Sequence, residues 1–296
     1  MSFNLYFAGW GSKDADDYLR ERRAHRLLSW VNETKVINWW KDFGLADRLF
    51  IDSGAFSVAH SCAKVNINDY VDFINNNPGI LRWAELDVIP YPVLNQKTAR
   101  YSSEKSWENY LYMKDRVKTE TTILPLYHFG ESKLGLQRIL ESGAEYIGIG
   151  GRHGVSTSEQ AQYFNEVFSI IQNSSNPNVK VHAFGITVPK LLENFPFYSA
   201  DSTTWLQVAI NGMILARDFS TLLISDGTTS DKANLQNIDR KHLTMLFDDI
   251  EFFGYNFDEL CRNYLYRLRY NIDVMLDWEK NYMYKGPSNF KSKKLF

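Results

Sequence analysis

Short runs of apolar, β-branched or aromatic residues alternate along the chain with segments of helical periodicity, and this alternation constrains the fold more than any other feature. The runs lie at residues 4–9, 48–52, 82–87, 122–127, 146–150, 179–184, 198–201 and 221–225. The helical segments lie at residues 16–31, 68–76, 103–117, 133–142, 158–172, 188–193 and 204–216, with two more at 240–252 and 258–278. Strands that alternate with helices predict a parallel sheet, and eight of them are the number that closes a (β/α)8 barrel. A doubly wound open sheet is the alternative.

The length and composition fit one barrel domain. The chain has 296 residues, of which 44% are hydrophobic and 23% charged, which supplies a large apolar core. We predict an α/β fold, a single (β/α)8 TIM barrel over residues 1–284 with extra C-terminal helices, followed by a basic tail over 285–296. The formal net charge is −2, so a polyanionic partner would have to meet a local basic patch.

The cysteines and the N-terminal segment bear on metal content and location. Cys62 and Cys261 are the two cysteines, which are too few for a disulfide framework or a cysteine-rich zinc site. We expect reduced thiols, no bound metal and no cofactor. The N-terminal segment lacks a basic region followed by an apolar run, and no stretch approaches about 18 uncharged apolar residues. These features predict a cytoplasmic protein that does not engage a membrane.

The ends of the predicted strands carry the candidate site, because active sites of such barrels lie at the C-terminal ends of the strands. The candidate residues at these ends are Asp52, Ser53, Phe56, Asp87, His128, Gly150, Gly151, Gly185 and Asp201. Taken singly, each has an ordinary explanation, since aspartates cap helices, glycine pairs form turns and histidines are often structural. Three carboxylates at one rim, however, repel one another unless a site uses them. Asp52, Asp87 and Asp201 together therefore predict an active site.

Six short motifs follow one another between residues 48 and 216. They are Asp52-Ser53-Gly54-Ala55-Phe56, Asp87 before Pro90-Tyr91-Pro92, Tyr127-His128-Phe129-Gly130, Gly148–Gly151, His182-Ala183-Phe184-Gly185 and Ala200-Asp201-Ser202. Each motif is weak alone. In this order and spacing they resemble the tRNA-guanine (queuine/archaeosine) transglycosylases, which exchange a guanine base in a nucleic acid.

The resemblance implies a role for two of the aspartates. Asp201 would attack the ribose C1′ and expel guanine, leaving a covalent intermediate, and Asp52 would serve as the general acid/base for the leaving and incoming bases. Retaining displacement at a glycosidic carbon does need a carboxylate nucleophile and a second acid/base group. The activity implied is that of a pentosyltransferase.

The resemblance also implies a pocket for the base. Asp87 would accept hydrogen bonds from the N–H edge of the purine, and Phe56 would stack on the ring. The other residues expected around the substrate are Ser53, His128, Gly150, Gly151 and Gly185.

Departures from the family pattern bear on the substrate. His128 stands where the family has glutamine, and Thr203-Thr204-Trp205 replaces its Pro-Thr-Arg. Two cysteines cannot supply the family's zinc site, and the chain has no room for the RNA-binding domain of archaeal relatives. The chain is thus most similar to the phage and bacterial DNA 7-deazaguanine transglycosylases. This implies DNA as polymer and a 7-deazaguanine such as 7-cyano-7-deazaguanine as incoming base, in the host cytoplasm if the protein is phage-encoded; tRNA is the alternative.

Basic residues on the first predicted helix and near the C-terminus are candidate contacts to nucleic acid. They are Arg20, Arg22, Arg23, Arg26 and Arg267. A solvated helix face is the competing interpretation of such a charge run. Two other functions also stay open, namely a hydrolase that acts on free nucleosides and a nucleic-acid-binding barrel without catalysis.

Overall fold

The computed structural model describes residues 3–55, 65–89, 96–151, 154–225 and 240–286. Its strands are β1 (Asn4–Ala8), β2 (His25–Ser29), β3 (Leu49–Asp52), β4 (Arg82–Ala84), β5 (Thr122–Leu124), β6 (Leu126–Tyr127), β7 (Tyr146–Gly150), β8 (Lys180–Phe184), β9 (Ser199–Ser202), β10 (Met213–Leu215) and β11 (Thr221–Leu223). Its helices are α1 (Lys13–Glu21), α2 (Trp30–Asp42), α3 (Ile67–Asn75), α4 (Gln96–Arg116), α5 (Lys133–Glu141), α6 (Thr157–Gln172), α7 (Pro189–Asn194), α8 (Thr204–Ile210), α9 (Arg240–Phe252), α10 (Phe257–Arg262) and α11 (Tyr264–Lys280), with a 3-10 turn at Ala46–Arg48.

The first nine strands form one parallel sheet in the order β5-β4-β3-β2-β1-β9-β8-β7-β6. The two ends of this order, β5 and β6, are halves of one strand that is interrupted at Pro125. The amide of Glu85 donates to the carbonyl of Leu124 at 3.0 Å on one side, and the amide of Gly148 donates to the carbonyl of Pro125 at 3.0 Å on the other. The sheet therefore closes on itself with eight strand positions. The prediction of a (β/α)8 barrel is confirmed, and the open-sheet alternative is wrong.

Three of the predicted elements are wrong in part, although the number of strand positions is right. The helix predicted at 204–216 ends at Ile210, and β10 occupies Met213–Leu215. Residues 25–29 belong to β2, which pairs with β1 and β3, and not to a helix running from 16 to 31. The run at 221–225 is not a barrel strand, because β11 pairs antiparallel with β10 in a separate two-stranded sheet. Leucine and arginine favour helix intrinsically, but pairing in the barrel overrides that preference in β2.

The inside of the barrel is packed with large side chains, as in other closed sheets of this size. Its apolar layer consists of Tyr6, Ala8, Leu27, Phe50, Ala84, Leu124, Leu126 and Tyr146, with Phe184 and Tyr198 against them. A second, larger cluster lies between the outer face of the strands and the helices. The interior of the barrel is thus filled by side chains.

The C-terminal helices pack on the barrel. Asn271 of α11 accepts a hydrogen bond from the amide of Leu215 at 2.9 Å and donates to the carbonyl of Trp205 at 3.3 Å. Lys285, where the basic tail was predicted to begin, pairs with Glu193 at 2.6 Å, and residues 287–296 lie outside the described part of the chain. None of the helices described is long and apolar enough to span a bilayer.

Candidate functional site

A cavity of about 870 Å³ opens at the C-terminal ends of the barrel strands. The predicted residues that line it are Asp52, Asp87, Asp201, His128, Gly150, Gly151 and Gly185. Its apolar walls include Leu27, Leu126, Phe129 and Phe184. The structure thus brings the three predicted aspartates to one cavity large enough for a small organic ligand.

Asp52 is the last residue of β3, and its carboxylate is held by the turn that follows. The amide of Gly54 donates to Oδ2 of Asp52 at 3.0 Å. Gly54 has φ +83°, and a Cβ there would lie 2.7 Å from the hydroxyl of Ser29, so the turn requires glycine. Burial, reinforced by the charge of Asp87, raises the pKa of Asp52 to about 7. A carboxyl group with this pKa exchanges protons near neutral pH.

Asp201, on β9, has two hydrogen-bond partners on the same oxygen. The amide of Gly185 donates to Oδ1 at 2.9 Å, and Nε2 of His182 lies 3.2 Å from the same atom. Gly185 follows β8 with φ +66°, a conformation that suits glycine. No residue in the described part of the chain bonds Oδ2 of Asp201, which leaves that oxygen for a ligand.

Asp87 lies at the base of the cavity in a buried network. Its Oδ1 accepts from the hydroxyl of Ser53 at 3.1 Å, and its Oδ2 lies 3.0 Å from Nε2 of His128. Nδ1 of His128 lies 3.0 Å from Oε1 of Glu131. Burial alone would lower the pKa of His128, but its hydrogen bonds to Asp87 and Glu131 outweigh that effect and raise it to about 10. His128 is therefore a cation between two carboxylates at neutral pH.

Glycines make room for the side chains that border the cavity. A Cβ on Gly148 would lie 2.3 Å from Cδ2 of Leu126 and 2.4 Å from Cε2 of Phe184. On Gly150 it would lie 3.2 Å from Cδ2 of His128, and on Gly151 it would meet Ile186. The glycines at 148, 150 and 151, at the end of β7 and just after it, thus make room for the packing around the cavity.

Sequence reasoning missed several residues of the site. Glu33, a fourth acid that lines the cavity, lies in α2 at a point where the backbone leaves helical geometry, with φ −127° and ψ 23°. Burial raises its pKa, while Arg26 and the amide of Ser29 oppose the shift. Glu131, which contacts His128, and His182, which contacts Asp201, were also not predicted as residues of the site. The strand β2 fell inside the segment 16–31 that was predicted as one helix, and Glu33 comes just after that segment, so no signal marked a strand end before it.

Phe56, predicted to stack on the base, lies outside the described residues. Ser53 is buried behind the cavity and contributes through its hydrogen bond to Asp87. Its hydroxyl also accepts from the amide of Ala55 at 3.3 Å. Ser53 therefore supports the site from the interior.

The predicted nucleic-acid contacts do not face the cavity. Arg26 is fully buried, where its guanidinium bonds Asp16 at 3.1 Å and the carbonyl of Gly9 at 2.7 Å. Arg267 is buried as well and donates to the carbonyl of Leu260 at 2.9 Å. These two predictions are wrong, because both side chains satisfy buried carbonyl groups.

The other three arginines lie on α1 or just after it, toward the N-terminal ends of the strands and away from the cavity. Arg20 is buried against Phe43 and pairs with Asp17, and Arg22 pairs with Asp273 at 3.2 Å. Arg23 is exposed in a left-handed turn with φ 51°. Within the described part of the chain, no lysine or arginine lines the cavity. A cluster of three potential metal ligands is likewise absent from the residues described.

Comparisons with known proteins give no family and only distant structural likenesses. No protein-family model matches the chain, and no curated protein matches it. A mutant tryptophan synthase α-subunit from Pyrococcus furiosus is 9% identical over 70% of this chain and 89% of its own, with a TM-score of 0.42. FabK from Thermotoga maritima is 10% identical over 95% of this chain and 93% of its own, with a TM-score of 0.39. Likenesses this distant carry no argument about activity.

Proposed function

We propose that the protein is a guanine transglycosylase, a pentosyltransferase that replaces guanine in a nucleic acid by a 7-deazaguanine. The observation that carries the proposal is the pair Asp52 and Asp201, which share one cavity in different environments. Asp52 has a pKa of about 7 and can give or take a proton, whereas Asp201 is anchored through Oδ1 and keeps Oδ2 for bond formation. Two carboxyl groups whose environments differ in this way suit a retaining glycosyl transfer.

The reaction follows in two balanced halves. In the first, Oδ2 of Asp201 forms a bond to C1′ while the bond from C1′ to the glycosidic nitrogen breaks. The bonding electron pair leaves with guanine, which takes a proton from Asp52. In the second, the incoming base gives its proton to the Asp52 carboxylate, its nitrogen bonds C1′, and the ester bond to Asp201 breaks. The proton on Asp52 is thereby restored, and the sugar keeps its configuration.

The walls of the cavity suit a flat base. Leu126 and Phe184 offer apolar surface, and Asp87 offers a carboxylate for the N–H groups of guanine. Both oxygens of Asp87 already accept one hydrogen bond, from Ser53 and from His128, which orient the carboxylate. A carboxylate oxygen accepts more than one bond, so Asp87 can still receive the base.

DNA is the proposed polymer, and tRNA is the alternative. The support for DNA comes from the sequence, through the altered segment Thr203-Thr204-Trp205 that follows Asp201. Exchange of labelled guanine out of DNA and out of tRNA, at the same salt concentration, distinguishes the two, because phosphate contacts depend on ionic strength. Faster exchange from tRNA would reverse the assignment of the polymer and leave the chemistry unchanged.

A hydrolase that acts on free nucleosides is the second candidate. It is favoured by the cavity lining, in which the described residues supply Glu33 and three aspartates but no lysine or arginine to meet a phosphate. Such an enzyme would release guanine from guanosine with little dependence on salt, and it would transfer the sugar to water. A transglycosylase would act on the oligonucleotide and require the incoming base.

The test is a denaturing gel of the protein with a guanine-containing oligodeoxynucleotide and no incoming base. We expect a covalent band in the wild type, a slowly formed band in Asp52→Asn and none in Asp201→Asn, since an amide oxygen is a poor nucleophile. Asp115→Asn, an exchange of the same kind on the surface of α4, is the matched control and should behave like wild type. A band of wild-type strength in Asp201→Asn would overturn the mechanism.

A further inference from the structure

Behind Asp201, three polar side chains are enclosed in the interior of the barrel. His182 is fully buried and lies among the rings of Tyr6, Phe50 and Phe184, at centroid distances of 5.7, 4.8 and 4.4 Å. Its Nδ1 bonds the hydroxyl of Ser199, and its Nε2 lies 3.2 Å from Oδ1 of Asp201. The same Ser199 hydroxyl bonds that of Tyr146. The four polar groups form one chain that ends at the proposed nucleophile.

The direction of each hydrogen bond in this chain follows from the protonation of His182 and Tyr146. Burial lowers the pKa of His182, so the ring is neutral and carries one proton. Burial raises the pKa of Tyr146 well above its ordinary value, so its hydroxyl keeps its proton, and Ser199 is its one partner among the described residues. Tyr146 therefore donates a hydrogen bond to Ser199, and the Ser199 hydroxyl in turn donates a hydrogen bond to Nδ1 of His182. The ring proton then lies on Nε2, where it points at Asp201.

The opposite orientation would leave a buried donor without an acceptor. If Asp201 donated to Nε2, the ring would donate from Nδ1 to Ser199, and Ser199 would donate to Tyr146. The hydroxyl proton of Tyr146 would then have no acceptor within the described part of the chain. An unsatisfied buried donor costs about 1–3 kcal/mol, so the orientation toward Asp201 is favoured.

We propose that Tyr146, Ser199 and His182 form an oriented hydrogen-bond chain in which His182 is a positioning residue for Asp201. The inference rests on the proposed function, in which Asp201 is the nucleophile. The chain holds Oδ1 together with the Gly185 amide, so that the carboxylate cannot rotate and Oδ2 stays available for C1′.

The first test uses the protein without substrate. Nitrogen NMR of the ring of His182 at neutral pH should show a neutral imidazole with its proton on Nε2. In Ser199→Ala, which keeps the ring but removes the donor to Nδ1, this tautomer preference should weaken. A ring protonated on both nitrogens, or on Nδ1 alone, would overturn the proposal even if the protein proved to have another activity.

The second test measures the rate at which the covalent band forms on the oligodeoxynucleotide. His182→Met fills the space without a donor and should slow the reaction roughly 10- to 100-fold, the loss expected for a hydrogen bond to a charged group. His182→Gln places an N–H near the position of Nε2 and should recover most of that rate. Both variants should bind the oligonucleotide with the affinity of the wild type. A general packing defect would instead lower that affinity as well as the rate.

The outcomes separate this inference from the proposed function. A wild-type protein that forms no covalent band refutes the transglycosylase, while the tautomer of His182 still tests the chain. Wild-type rates in His182→Met, together with an inactive Asp201→Asn, refute the chain and leave the transglycosylase standing. If thermal denaturation shows that His182→Met does not fold, the rate of covalent-band formation is measured in Ser199→Ala instead. We expect this rate to fall several-fold, and an unchanged rate would contradict the proposal.

Discussion

Nε2 of His128 lies 3.0 Å from Oδ2 of Asp87, and its Nδ1 lies 3.0 Å from Oε1 of Glu131, so one imidazolium balances two buried carboxylates beside the cavity. The positive charge of His128 thus offsets part of the negative charge of Asp87 and Glu131. A neutral amide in place of His128 would leave both carboxylates without a compensating charge.

Replacement of His128 by glutamine should destabilise the protein by about 3 kcal/mol near neutral pH, the cost of removing one partner of a buried ion pair. The pKa of His128 is raised from 6.5 to about 10, so its contribution is complete below pH 6.5 and is lost as the pH rises through about 10. The difference in melting temperature between wild type and variant should therefore shrink over this window. The double variant His128→Gln/Glu131→Gln should lose less stability than the sum of its single changes, and an additive loss would contradict the pairing.

Asp52→Asn should become more stable relative to the wild type as the pH rises. The pKa of Asp52 is raised from 3.8 to about 7, so the folded protein holds a proton there that the unfolded chain releases. The contribution of this group to the stability of the wild type is therefore greatest below pH 3.8. It falls by about 1.4 kcal/mol per pH unit between pH 3.8 and about 7. Paired thermal denaturations across this range measure the effect. A difference that is independent of pH would show that Asp52 ionises normally.

The pKa of Asp52 predicts opposite pH dependences for the two halves of the proposed reaction. Formation of the covalent band needs protonated Asp52 and should decline above about pH 7, whereas transfer to the incoming base needs the carboxylate and should rise through about pH 7. Single-turnover measurements of each half separate them. In Asp52→Asn both halves should be slow, and neither rate should change with pH near pH 7.

Gly148→Ala should impair binding of the base more than Gly150→Ala. The added Cβ would approach Leu126 at 2.3 Å and Phe184 at 2.4 Å, so one of two cavity side chains must move, at a cost of about 1–3 kcal/mol. At Gly150 the nearest atom is Cδ2 of His128 at 3.2 Å, which needs only a small adjustment. Guanine affinity, measured by calorimetry, should drop roughly tenfold or more in the first variant and little in the second. Equal affinities would show that the cavity walls do not contact the base.

Arg26→Met should lower stability by several kcal/mol without changing contacts to nucleic acid. The side chain is buried and bonds Asp16 and the carbonyl of Gly9, so its loss leaves buried groups unsatisfied, at about 3–5 kcal/mol. Arg23→Gln, which changes an exposed arginine close by, should leave both properties unchanged. The measurements are thermal denaturation and the salt dependence of oligonucleotide binding. A smaller salt slope in either variant would restore these arginines as phosphate contacts.

Much of the site was predictable because position along a parallel strand decides which rim a residue reaches. Asp52, Asp87 and Asp201 each come at the end of an apolar run, and the C-terminal ends of parallel strands meet at one edge. The same reasoning located Gly150 and Gly185. It failed for Glu33, since the leucines and arginine of β2 resemble a helix, and a strand that is not recognised marks no strand end.

The amino-acid sequence by itself determined the barrel and the acidic residues at its mouth, because both follow from local patterning of about five-residue strands with polar ends. Only the tertiary structure decided the closure at Pro125, the burial of Arg26 and the proton states of Asp52, His128 and His182. These depend on neighbours that are distant in the chain, such as Asp87, which lies 41 positions from His128. A charge in the interior is governed by its desolvation and by the hydrogen bonds around it, and neither exists until the strands have closed into the barrel.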